Sequence, residues 1–303
     1  MNKVKQISPL NHPLLQRVSV IDKPATNIWY IGEIAAEWAN RPTVAIVGSR
    51  KPTDYGRSVT LKLASALAAR GVIIVSGLAL GHDALAARGA LDASGTTIAV
   101  IGNGLNNIHP RSNTLLAKEI IEKGGVILSE YEPDYPVYKQ NFLERNRLIT
   151  ALSDITVVVE AGERSGTLNT AAHALAQNRE LMVVPGNITS PLSIGCNRLI
   201  AQGAEPVLSA DDIIEKLRQI HASRGNNQAT RYLLDKTTAT STNPTGSNQT
   251  ETKILRTIAS GISDGDEILK ATRLDPSDYN VALTMLELDG RIQPLGANRW
   301  TMR

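Results

Sequence analysis

From Thr43 to about Leu208 the chain alternates short apolar runs with helical patterns. VAIVG precedes VTLKLASALAARG, VIIVSG precedes HDALAARGALDASG, and TTIAVIG precedes TLLAKEIIEKGG. VILSEY, NRLITALSD, ITVVVEA, TLNTAAHALAQNR and ELMVVPG continue the series. A Val- and Ile-rich run closed by turn residues reads as a strand buried on both faces, because an exposed face would impose polar alternation. Strand and helix alternating at this spacing predict an α/β fold, a doubly wound and mostly parallel sheet.

Many of these strands stop at glycine or a small polar residue: Gly48, Ser76-Gly77, Gly102, Ala161-Gly162, Pro185-Gly186. Several tight loops therefore converge on the carboxyl edge, where open α/β sheets bind ligands and backbone N–H groups gather for anions. The first of them, Gly48-Ser49-Arg50, pairs a small hydroxyl with a guanidinium, a phosphate-reading combination.

Composition narrows the class. With 303 residues, 42% of them hydrophobic, the chain is long enough for one large domain and a small one. No apolar stretch approaches the roughly 18 residues that span a bilayer, and MNKVKQISPL is too polar to open a secretory signal, so no membrane partner and a cytoplasmic location are expected. The single cysteine, Cys196, excludes an internal disulfide and fits a reducing compartment. A net charge of +3 permits a nucleic-acid partner without requiring one.

Residues 1–40, with Pro13, Pro24, Trp29 and Trp38 and weak periodicity, read as an extension leading into a Rossmann-like domain over 41–222. Asp235 to Thr250 holds no large apolar residue, and 223–248 is assigned as a flexible linker. In 249–303 three short helical patterns (ETKILRTIASG, DGDEILKATRL, PSDYNVALTMLELDGR) and two short strands suggest a winged helix.

Catalytic signatures are weak. Gly102-Asn103-Gly104-Leu105-Asn106-Asn107 begins like a dinucleotide fingerprint but puts Asn107 where the third glycine belongs. There is no Walker A loop, nucleophile elbow or zincin helix, and the five histidines show no i, i+4 pair, so neither metal nor cofactor is expected. Asp83 reads as the cap of the helix DALAARGA, and Glu160 as the partner of a nearby arginine or as an acid/base group.

The segment Tyr131 to Asp154 is richer. Three of the seven tyrosines and the only phenylalanine lie between 131 and 142, interleaved with Lys139, Arg145 and Arg147. Stackable rings beside cations suit a single-stranded nucleic acid, and a loop packed on the sheet would use the same tyrosines. Arg145 and Arg147 at a helix start oppose the helix dipole unless an anion sits there. Ser165-Gly166-Thr167, before the next helix, adds a further set of N–H donors.

These pieces together resemble the DNA-processing protein A family (DprA, also called Smf). The match runs through VAIVGSRKPTDYG, SGLALGHDALAARGAL, TIAVIGNGLNNIHP, SEYEPDYP, NFLERNRLITALSDITVVVEAGERSGTLNTAAHAL and VPGNITSPLSIGCNRLIAQGAEPVL. The resemblance implies an extended Rossmann domain with a terminal winged helix and a homodimer without catalytic turnover. It implies a protein that binds and shields incoming single-stranded DNA and helps load the RecA recombinase during natural transformation. Carried over, the site comprises Gly48, Ser49, Arg50, Gly77, Lys139, Phe142, Arg145, Asn146, Arg147, Ser165, Gly166 and Thr167.

His82, His109, Leu143 and Thr150-Ala151 depart from the family pattern, and the N-terminal helical domain of many members has no counterpart, so contacts through it are not expected. Two other readings compete. A phosphoribohydrolase on a similar fold needs a catalytic glutamate where Thr170 stands. A winged-helix transcription factor needs base-reading side chains where LDPSDYNVALTMLELDGR is acidic.

Overall fold

In the computed structural model, which describes residues 3–225, 249–296 and 298–302, the described residues fall into two compact units, one before and one after the 226–248 stretch. The expected linker lies, from residue 226 onward, outside the described residues.

The larger unit is built on nine strands: β1 (Lys5–Ile7), β2 (Ile28–Gly32), β3 (Thr43–Val47), β4 (Ile73–Ser76), β5 (Thr97–Ile101), β6 (Val126–Ser129), β7 (Ile155–Val158), β8 (Glu180–Val183) and β9 (Glu205–Pro206). Their order across the sheet is β1-β2-β6-β5-β4-β3-β7-β8-β9, parallel from β6 to β9. The chain winds outward from β3 to β6, then returns to lay β7 on the other side of β3. That reversal is a topological switch point, and it opens a crevice beyond the carboxyl ends of β3 and β7.

Side-chain alternation explains the layers. Every residue of β3 is buried; Ala45 and Val47 join one apolar cluster, Val44 and Ile46 the other. The first cluster packs beneath α4 (Asn141–Ala151) and α5 (Gly166–Ala176), through Leu148, Ile149, Ala171 and Ala174. The second packs beneath α1 (Asp54–Ala69), α2 (His82–Asp92) and α7 (Ala210–Ser223), through Leu63, Leu67, Ala86, Ile213 and Leu217. Strands covered by helices on both faces need no polar side, hence the continuous apolar runs. Two further helices, α3 (Thr114–Glu122) and α6 (Ile194–Ala201), complete the unit.

Residues 1–40 are more than a lead-in. β2 pairs antiparallel with β6, from Trp29 opposite Ser129 to Gly32 opposite Val126, and β1 pairs antiparallel with β2. Leu14, Leu15, Val18 and Trp38 are buried in the cluster that also holds α4. These strands are three and five residues long, too short to display an alternation legible beside the prolines.

The smaller unit contains α8 (Gln249–Ala259), α9 (Gly265–Thr272), α10 (Pro276–Leu288) and the antiparallel hairpin β10 (Ile292–Gly296) and β11 (Arg299–Met302), a winged-helix arrangement. Asp264 caps α9 and Asp275 caps α10 by accepting N–H bonds in the first turn. Ile254, Leu255, Ile268, Leu286 and Ile292 fill its core.

Candidate functional site

A cleft of about 460 Å³ lies at the switch point. Ten of the twelve expected residues line it: Gly48, Ser49, Arg50, Lys139, Phe142, Arg145, Asn146, Ser165, Gly166 and Thr167. Gly77 and Arg147 do not.

The first wall follows β3. Glu160 fixes this turn from behind: its carbonyl accepts from Ser49 N–H at 2.9 Å, and its carboxylate accepts from Thr53 N–H at 3.0 Å and from the Thr53 hydroxyl. Its Oε2 also lies 3.0 Å from His82 Nε2, while His82 Nδ1 lies 2.6 Å from Thr60 Oγ1. Glu160, read as an arginine's partner or as an acid/base group, instead forms a buried pair with His82. Burial pushes His82 below its ordinary value, against the pull of Glu160. The His82 ring packs so closely under Gly48 that a Cβ there would stand 2.4 Å from it.

Arg50 projects into the open, its guanidinium 5.6 Å from the centre of the Phe142 ring. No carboxylate pairs with it among the described residues. Phe142 also packs against His109, ring centres 5.5 Å apart. His109 was read only as a departure from the family pattern, with no local signal that it supports the ring.

The opposite wall is the start of α5. Ser165 Oγ accepts from Thr167 N–H at 3.2 Å, capping the helix and aiming its N-terminus at the cleft. Free N–H groups and the positive end of the dipole make that wall receptive to an anion. Thr170, in the same helix, lines the cleft and is buried.

The floor is Arg145, 3% exposed. Its Nη1 donates to Gly77 O at 2.6 Å and to Val100 O, at the carboxyl ends of β4 and β5. Burial pushes its pKa down to about 10, opposed by nearby Asp83. Gly77 is thus no lining residue but the space under this guanidinium, since a Cβ would lie 2.5 Å from it. Asp83 is no helix cap either. Gly81 occupies that position, and Asp83 Oδ2 accepts from Gly77 N–H at 3.0 Å and Ala79 N–H at 3.4 Å, locking the turn after β4. Burial raises the Asp83 pKa, against Arg145 and these two N–H bonds.

Arg147 faces away. It forms a two-pronged bond to Glu130, 2.9 and 2.6 Å, and donates to Lys23 O at 3.0 Å, tying α4 to β6 and the N-terminal segment. The reading of both arginines as a helix start fails because α4 begins at Asn141, leaving them more than a turn inside. Residues two apart on a helix point to different sides, so one reaches the cleft and the other cannot.

The chemistry assembled is one exposed guanidinium, one buried guanidinium, the exposed Lys139, a helix N-terminus and an aromatic ring. Asp83 is the only carboxylate lining the cleft among the described residues, and it is held by backbone N–H groups. Such a site can hold a phosphate beside a flat ring. Among the described residues no three His, Cys, Asp or Glu side chains converge as a metal ion would require, and no helix is long and apolar enough to cross a membrane.

Comparison with known proteins covers both units of the chain. Residues 9–218 match the family model of DNA recombination-mediator protein A, and residues 238–298 match that of the DprA winged helix domain. Protein Smf of Escherichia coli is 47% identical over 175 residues, 58% of this chain and 47% of its own length, so the chain spans about half of that relative. DNA processing protein A of Streptococcus pneumoniae superposes with a TM-score of 0.65 at 36% identity, over 70% of this chain and 74% of that one. The Helicobacter pylori protein, whose structure concerns a single-stranded DNA binding mode, gives 0.65 at 33% identity over 72% of this chain and 97% of that one.

Proposed function

The chain belongs to the DNA recombination-mediator protein A family, and on that premise we propose that it binds single-stranded DNA in the switch-point cleft, as a binding protein rather than a catalyst. The observation that carries the reading is the pairing of Arg50 with Phe142 across the mouth of the cleft, a cation for the phosphate next to a ring for the base. Arg145, Asn146, Lys139 and the Ser165-Gly166-Thr167 turn extend the phosphate-binding surface on either side. Ser49 shapes the turn, its hydroxyl engaged with the Lys51 backbone.

Thr170 speaks against hydrolysis, because it lines the cleft where the related hydrolases keep a glutamate and brings no proton-transfer group. The winged-helix unit favours no transcriptional reading: α10 exposes Asp278 and Glu287 beside Val281, Met285 and Leu288, a poor match to base edges or phosphates. By the same reading the protein works in DNA uptake and recombination in the cytoplasm, as a homodimer that shields the strand and delivers it to a RecA recombinase.

Titrating a labelled single strand and its duplex at fixed salt tests the proposal. Single-stranded DNA of mixed sequence binds more tightly than duplex, and Arg50→Ala weakens it by about 2 kcal/mol, the scale of a lost charge-assisted contact. Equal affinity for both forms, or an unchanged Arg50→Ala isotherm, refutes it.

A further inference from the structure

Beside the cleft stands a second aromatic group that the site does not use. Tyr131 and Tyr135 stack, ring centres 4.7 Å apart with planes 21° from parallel, and Tyr138 meets Tyr135 edge-on at 5.8 Å. Tyr135 is 36% and Tyr138 48% exposed, high for rings whose only task is to pack a loop.

The loop that carries them is anchored on both sides. Gly104 N–H donates to Tyr135 O and Asn106 N–H to Pro133 O, both at 2.9 Å, and Asn106 Nδ2 donates to Asp134 Oδ1 at 2.7 Å. The loop after β5 that supplies these bonds also supplies His109, which supports Phe142. At the far end Asn141 N–H donates to Tyr138 O at 3.2 Å, so a single turn separates Tyr138 from the helix bearing Phe142. Lys139, inside that turn, lines the cleft.

We propose that Tyr135 and Tyr138 form a second base-stacking platform, on which a single strand leaving the Phe142 site continues with its bases against the tyrosines. This rests on the single-strand reading of the cleft. Charge sets the orientation: Glu132 and Asp134 are exposed on the same loop and repel phosphates, so the strand crosses it bases inward. The platform therefore adds stacking and no counterion release, whereas Lys139 adds the reverse.

Two lengths of mixed-sequence single strand separate the possibilities, one of about 6 nucleotides that fills the cleft and one of about 25 that also reaches the loop. Tyr138→Ala, alone and with Tyr135→Ala, leaves the short strand bound as in wild type and weakens the long strand about 5- to 100-fold, the range for a lost base stack. The slope of log affinity against log salt stays unchanged in these variants and falls by about one in Lys139→Ala. Tyr138→Trp retains long-strand affinity, and the long strand, not the short one, quenches its added fluorescence.

Equal losses on both lengths make the tyrosines loop supports and overturn the proposal, as does an unaffected long strand or an unquenched Tyr138→Trp. A wild-type protein that binds neither length overturns the cleft reading together with it, whereas loss of the short strand on Arg50→Ala confirms the cleft independently of the tyrosines.

Discussion

Gly48 is the residue at which binding and folding meet. Its α-carbon faces the Arg50 turn on one side and the buried His82 ring on the other, with no room for a methyl group. Gly48→Ala is expected to cost about 2 kcal/mol of stability, the scale of overpacking in a closed core, and to weaken single-strand binding as the turn shifts. His82→Ala should cost less in the Gly48→Ala background than in wild type, because removing the ring relieves the clash; additive costs in a double-mutant cycle would exclude it. The Gly48-Ser49-Arg50 turn was legible in the sequence because everything that makes it, an apolar run, a glycine and two polar residues, is local. Arg145 was expected in the site, but not its anchoring, which depends on strand ends at Gly77 and Val100 that only the folded sheet brings beneath it. Arg147 was credited to the cleft for want of the helix phase, which sends it to Glu130 instead.

That phase error has its origin at the element scale. The residue preceding α4 is Gln140, whose side chain makes no capping bond, so the usual Ser, Thr, Asp or Asn signal is missing and the helix reads as if it began five residues late. Strands β3 to β8 were all visible as runs of Val, Ile and Leu, whereas β1, β2 and β9 gain their identity only from their neighbours. One carboxylate joins several elements beneath this sheet. Asp154, before β7, accepts from Thr43 N–H at 2.9 Å and lies 3.2 Å from Arg17, 3.0 Å from Arg224 and 3.3 Å from His221. Burial alone would raise its pKa, yet Arg17, His221 and the Thr43 N–H hold it well below the usual carboxylate range. A depressed folded value means that the stabilisation is complete above the unfolded value of about 3.9 and is lost as pH falls through the folded one. Urea unfolding should therefore show stability declining steeply below about pH 4, and Asp154→Asn should flatten that decline while costing about 3 kcal/mol at neutral pH. A variant with the wild-type acid limb would show that other carboxylates govern it.

For the whole molecule, the division into two units carries the next expectation. Every residue of the cleft and of the tyrosine loop belongs to the first unit, which has its own apolar clusters. A fragment ending at residue 225 is expected to fold and to keep single-strand affinity within about two-fold, as a domain with its own core does. A ten-fold loss in a titration of the fragment would assign part of the binding to residues beyond it. The composition of Asp235 to Thr250 was enough to suggest that separation, but not what the exposed Val281, Met285 and Leu288 of α10 face. The sheet itself holds a last consequence. Its outermost described strands are β1, three residues long, and β9, two residues long and ending in Pro206, which has no N–H to give. Neither border offers a ladder on which another molecule's strand could zip, so the sheet is sealed against edgewise growth into fibrils. A twofold partnership of the larger unit would then fall to its helices and loops rather than to an added strand.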